Sequence, residues 1–170
     1  DPVLTATMAS AEVAGLSQSH SATDRGTIAT LKHFIGYGTT WGGQNGGPSA
    51  ITGRDLMQNF LPAFKQALDS GAMSVMTSYN TLDGIPSTGS RELLTEILRN
   101  QWKFRGIVVS DLYSIDVMYN QHHVAASLED AAIMALKAGV DIDLGGQAYA
   151  TLPHAVRSGR IPESLVDSAV

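Results

Sequence analysis

Residues 106–119, GIVVSDLYSIDVMY, hold the pattern that decides the fold. The run from Gly106 to Val109 is short, β-branched and apolar, which reads as a buried strand. It stops abruptly on Ser110 and Asp111. A carboxylate at the end of a core strand loses hydration, so partners or a chemical task must compensate for its position. An apolar strand without polar alternation belongs to a parallel sheet covered on both faces.

Working outward, the chain supplies what such a sheet needs. Upstream, SRELLTEILRNQW (90–102) reads as an amphipathic helix capped by Ser90, with Leu93, Leu94, Ile97 and Leu98 inward. Before it, AMSVMTSYN (72–80) is a short strand ending in polar residues, and TLDGIPSTG (81–89) is a turn carrying Asp83-Gly84. TGRDLMQNFLPAFKQALDSG (52–71) has Leu56, Phe60, Phe64 and Leu68 on one helical face, Thr52 as cap, Gly71 at the exit and a bend expected at Pro62. TIATLKHFIGYG (27–38) is a strand that runs into the glycine-rich loop GYGTTWGGQNGG (36–47), and a polar connection, QSHSATDRG, covers 18–26. VLTATMASAEVAGL (3–16) spaces Leu4, Met8, Val13 and Leu16 nearly as a helix face. Downstream, SLEDAAIMALKAG (127–139) is a helix capped by Ser127, VDIDLGG (140–146) a fourth strand, and 149–170 one short helix and the start of another after Ile161-Pro162. The expected class is α/β, with about four parallel strands alternating with helices over residues 1–170.

With 44% hydrophobic and 16% charged residues, the 170-residue chain has enough apolar material for a core. A net charge of -5 without a basic cluster argues against nucleic acid and against an anionic membrane surface. No apolar stretch approaches the roughly 20 residues that span a bilayer. Cysteine is absent, which removes disulfides, thiolate metal sites and a cysteine nucleophile, and leaves the compartment open. The chain opens on Asp1-Pro2 without Met, as a processed product or a portion of a longer polypeptide would.

Each strand ends in groups that are expensive to bury: Lys32 and His33, then Ser78, Tyr79 and Asn80, then Ser110 and Asp111, then Asp141 and Asp143. The turns at the opposite ends are generic, and parallel α/β proteins place their sites at the carboxyl edge of the strands. Taken singly, each residue has a plainer explanation. Asp111 can cap the next helix, Lys32 can pair with an acid, His33 can be a satisfied core histidine, and Met76 can fill space. Asp141 and Asp143 alternate on a strand and make no metal site, while the adjacent His122 and His123 lack helical ligand spacing and read as exposed. A cation, an imidazole, a phenol and a carboxylate on successive strand ends exceed what capping requires. Two chemistries remain open: a Schiff base on Lys32, or nucleophilic attack by Asp111 on an electrophilic carbon.

LKHFIGYG (31–38), the stretch from Ser74 to Ile115 and AGVDIDLGG (138–146) resemble glycoside hydrolase family 3, the β-glucosidase and β-xylosidase group. The resemblance runs in order through nearly all 170 residues. It implies the C-terminal portion of a TIM-type (β/α)8 barrel, and a retaining, exo-acting β-glycosidase that forms a covalent glycosyl-aspartate on terminal β-glucosides or β-xylosides. It maps the nucleophile to Asp111 and sugar binding to Lys32, His33, Met76 and Tyr79. No cofactor or metal is implied.

Leu112 stands where many relatives have Trp or His, so that wall of the sugar site is expected to differ, with Trp41 or Tyr113 as substitutes. The loop lacks the Pro-Gly-His continuation of the family's β-N-acetylglucosaminidases, which disfavours their substrates. The glucosidase-type acid/base resides on a second domain, and is expected to lie outside residues 1–170. Four strands against the eight of a closed barrel imply an open edge, self-association and an inactive isolated chain. A lysine Schiff-base lyase and a non-catalytic sugar-binding module are the alternatives. A secreted or periplasmic parent is compatible with the sequence.

Overall fold

The computed structural model describes residues 1–17 and 26–170; apart from Gly26, the connection expected over 18–26 lies outside the described residues. In chain order the elements are α1 (Pro2–Leu16), β1 (Thr30–Phe34), β2 (Pro48–Ser49), α2 (53–69), β3 (Ser74–Thr77), β4 (Thr81–Leu82), β5 (Ile85–Pro86), α3 (Glu92–Gln101), β6 (Ile107–Val109), α4 (Ser114–Asn120), α5 (Leu128–Ala138), α6 (Leu152–Arg157) and α7 (Glu163–Asp167). Strands β1, β3 and β6 form a parallel sheet in that order. Val75 pairs with Leu31 on one side and Val108 on the other, and Val75 and Val108 are fully buried in the main core. No helix is long and apolar enough to cross a membrane among the described residues.

The fourth strand expected over 140–146 is reduced to one parallel bridge between Ile142 and Val109. The ladder is diverted after that single pair. Ser110 N–H donates to the Ile142 carbonyl at 2.9 Å, but the next amide, Leu144 N–H, turns to the Ser110 hydroxyl, also at 2.9 Å. Asp141 is tied to the sheet by its side chain, accepting from Val108 N–H at 2.7 Å and from Arg99 at 2.6 Å.

Strand β1 is irregular where the chemistry begins. Leu31 pairs with Val75 and Phe34 with Thr77, so β1 takes three steps where β3 takes two. The extra residue removes the strict alternation that would send neighbouring Lys32 and His33 to opposite faces. The Lys32-His33 and Phe34-Ile35 peptide bonds are cis.

Helix α3 buries Leu93, Leu94, Ile97 and Leu98, the face its spacing predicts, and Ser90 Oγ accepts the Leu93 N–H at 3.3 Å. It winds as a π-helix that closes with Trp102 N–H on the Ile97 carbonyl. In α2, where a bend is expected at Pro62, the structure shows a π-helical stretch, Leu56–Phe60, that ends two residues before the proline. Asp83-Gly84 makes a two-residue hairpin between β4 and β5, with positive φ at both positions as a type I′ turn demands. In α5, Ser127 Oγ accepts Asp130 N–H, and Gly139 ends the helix in the left-handed conformation.

Helix α1 forms as expected but presents a different face. Ala6 and Val13 are buried, whereas Leu4, Met8 and Leu16 are exposed. The helix lies close against α2 around Ala67, Ala72 and Ala29, and small side chains permit that approach where Leu4 or Met8 would hold it off.

Candidate active site

The strand ends converge as the sequence suggests, and the geometry singles out Asp111. The residue is 9% exposed. Its Oδ1 accepts the N–H of the next residue, Leu112, at 2.7 Å, and its Oδ2 lies 3.4 Å from His33 Nε2. It does not cap α4, whose N-cap is Tyr113, a residue at φ 60° with no side-chain cap bond. One carboxylate oxygen is therefore held by the main chain and the other faces the neighbouring strand end.

Tyr79, just beyond β3, donates its hydroxyl to the Leu112 carbonyl at 2.5 Å. Burial, and then the nearby Asp111 carboxylate, push its phenol up to about 12. It remains a proton-bearing donor at physiological pH. The His33 imidazole is pulled below its ordinary value by burial, an effect that Asp111 opposes and Lys32 reinforces. Lys32 is exposed in the middle of β1, so it lacks the apolar enclosure that activates a Schiff-base lysine. Met76 is half-buried and in register with Val109, two residues before Asp111.

Beneath these groups lies a buried polar floor in which Thr77, Thr88 and Ser114, residues the sequence did not single out, join Asn80 and Asp111. Thr77 Oγ1 is 2.8 Å from Thr88 Oγ1, which in turn reaches Ser114 Oγ at 3.0 Å, and the Asp111 amide donates to Thr77 Oγ1 at 3.4 Å. Asn80 donates to the Ile35 carbonyl at 3.1 Å and ties the end of β3 to that of β1. Each of these residues is at most 2% exposed except Asp111. Unpaired hydroxyls at such depth would be costly, so the network fixes the strand ends relative to one another.

Three further residues stand at this edge. Tyr37 sets its ring 5.0 Å from His33. Leu112 is exposed and packs so tightly on the following loop that a Cβ at Gly145 would meet its Cδ1 at 2.5 Å. His122, expected in solvent, is half-buried and its Nε2 lies 3.0 Å from the Gly46 carbonyl. Nothing in the local spacing of His122 announces a partner 76 residues away. Among the described residues no cluster of three or more His, Cys, Asp or Glu is placed to hold a metal ion.

Residues 1–170 match the model of the glycosyl hydrolase family 3 N-terminal domain. The chain belongs to glycoside hydrolase family 3. Among curated family 3 relatives, a putative β-xylosidase of Formosa agariphila is 38% identical, covering 100% of this chain and 23% of its own length. A periplasmic β-glucosidase of Salmonella typhimurium is 36% identical, covering 99% and 22%. The chain thus spans less than a quarter of these relatives. A crystal structure of a β-glucosidase from Listeria innocua in complex with isofagomine superposes with TM-score 0.94 at 32% identity, covering 99% of this chain and 24% of the other. A β-glucosidase from Erythrobacter marinus gives TM-score 0.95 at 37% identity over 99% and 23%. The α/β architecture is that of family 3 β-glucosidases.

Proposed function

We propose that residues 1–170 form the nucleophile-bearing part of a retaining, exo-acting β-glycosidase that hydrolyses terminal β-glucosides or β-xylosides. The observation that carries this reading is the asymmetric setting of Asp111, with Oδ1 on the Leu112 amide and Oδ2 open toward His33. Oδ2 attacks the anomeric carbon while the glycosidic bond breaks and a general acid protonates the departing oxygen. Water then displaces the aspartyl ester with the same acid acting as base, and the carboxylate leaves with its electron pair. His33 and Lys32 bind sugar hydroxyls, Met76 and Tyr79 line the same subsite, and the Tyr79 hydroxyl steadies the carboxylate charge. Names of the matched relatives, β-xylosidase and β-glucosidase, support the substrate class.

The proton donor belongs to polypeptide outside these residues. A retaining pair needs its carboxyls about 5 to 5.5 Å apart. The other acids at this edge, Asp116 and Asp143, are turned together onto Gly146, where a Cβ would meet an oxygen of each at 2.4 Å. The three-stranded sheet reads as part of a TIM-type (β/α)8 barrel, completed by further strands. The exposure of Met73, Ile107 and Ile142 supports this reading, and the isolated chain is expected to self-associate and to lack activity. Incubating the full-length enzyme with a 2-fluoro glycosyl fluoride and mapping the adduct by mass spectrometry tests the proposal. An ester on Asp111, absent in Asp111→Asn, is expected; an adduct elsewhere, or turnover retained by Asp111→Asn, rules it out.

A further inference from the structure

We propose that His122 is a positioning residue of the sugar site: it pins the glycine-rich loop 42–47 against Tyr79, and so sets where that phenol stands relative to Asp111. The inference rests on the glycosidase reading above and adds a residue to it. Gly42, Gly43 and Gly46 adopt positive φ, and four glycines in six residues give the loop few side chains with which to anchor itself. Its base is closed by a bridge between Thr40 and Ser49, and Ser49 Oγ donates to the Gly36 carbonyl at 3.1 Å. Inside the loop, Gln44 N–H donates to Trp41 and Gly47 N–H to Gln44.

At its far end the loop meets His122, from the connection between α4 and α5, through the 3.0 Å contact to the Gly46 carbonyl. A carbonyl only accepts, so Nε2 carries the hydrogen. Gly46 faces Tyr79: a Cβ built on the glycine would stand 3.7 Å from the tyrosine Cβ. Tyr79 in turn donates to Leu112, whose amide holds Asp111. One imidazole N–H thus links the connection between α4 and α5 to Asp111 through the Gly46 main chain, the Tyr79 side chain and the Leu112 main chain. The local sequence of His122 gives no hint of this.

The test uses His122→Gln, His122→Asn and His122→Ala in the full-length enzyme, with 4-nitrophenyl β-glucoside and β-xyloside as substrates. Glutamine sets its amide N–H where Nε2 was, whereas asparagine is too short to reach. His122→Gln is expected within about threefold of wild-type kcat/KM, with His122→Asn and His122→Ala both about 10- to 100-fold lower, the scale of a catalytic group displaced by up to 1 Å. Hydrogen–deuterium exchange of the 42–47 amides is expected to accelerate in Asn and Ala but not in Gln. If exchange accelerates while kinetics stay at wild type, the positioning role is wrong; if exchange is unchanged in His122→Ala, or Gln falls with Asn, the pin itself is wrong. A wild-type enzyme that shows no glycosidase activity dependent on Asp111 overturns the function instead, and the exchange data still decide whether the pin exists.

Discussion

Replacing Tyr79 with Phe removes one oxygen whose two roles differ in size. Its bond to the Leu112 carbonyl is neutral and half-exposed, and such a bond contributes about 0.5–1.5 kcal/mol, part of which water recovers. Beside Asp111 the same hydroxyl faces a charge, and a hydrogen bond to a charged group contributes about 1.5–3 kcal/mol. The charged role therefore dominates, and its direction depends on the step. When the carboxylate attacks, it loses negative charge, so a donor resting on it gives no help. When water displaces the ester, the carboxylate regains its charge and the hydroxyl rotates onto it. Tyr79→Phe is thus expected to slow deglycosylation by about 10- to 150-fold at roughly 1.4 kcal/mol per decade, and glycosylation by less than about threefold. With an activated aryl glycoside, for which deglycosylation limits turnover, kcat and KM should fall together while kcat/KM holds. Pre-steady-state bursts of the nitrophenol report the same change directly. A kcat within twofold of wild type, or a parallel fall in kcat/KM, refutes the assignment of the phenol to the departing carboxylate.

Other perturbations test the scaffold. Gly106→Ala sets a Cβ 2.1 Å from the Met73 carbonyl oxygen, the acceptor of Ile107 N–H at the start of the β3–β6 ladder. Overpacking with loss of that bond should cost about 2–4 kcal/mol, read as a lowered unfolding midpoint, and a midpoint unchanged within error contradicts the register. Asp143 is raised above the ordinary carboxylate value by burial, partly offset by the Tyr149 amide, with Asp116 adding to the rise. Its folded form holds the proton more tightly than its unfolded form, so its contribution is present in acid and is lost as pH climbs through the folded pKa. Asp143→Asn is accordingly expected to raise the unfolding midpoint at neutral pH, with the gain closing as pH falls into the carboxylate range; a gain independent of pH contradicts the shift.

Much of this architecture is written locally. Ser127 and Gly139 bracket α5, Asp83-Gly84 sets the hairpin, and the spacing of Leu93, Leu94, Ile97 and Leu98 gives the buried face of α3, because capping, turn chemistry and amphipathic period act within a few residues. The convergence of Asp111, His33 and Tyr79 also follows from reading where strands end. What escaped depends on neighbours distant in sequence. The exposed leucines of α1 look like a core face until α2 is seen to demand small residues. The strand at 140–146 has the right composition, but the Ser110 hydroxyl takes the amide that would have extended it. Thr77, Thr88 and Ser114 read singly as ordinary polar residues, and only their mutual contact makes them the floor of the site. The bulge that frees Lys32 and His33 from alternation has no signature short of the register itself.

Residue 112 divides its labour between backbone and side chain. Its amide grips one oxygen of the aspartate before it, its carbonyl receives the tyrosine, and both contacts are indifferent to what hangs from the α-carbon. The aliphatic side chain of Leu112 can therefore stand where the family resemblance leads one to expect Trp or His without disturbing the Asp111 carboxylate. On the proposed reading, changes to this side chain would reshape one wall of the sugar site while the Asp111 carboxylate keeps its main-chain hold.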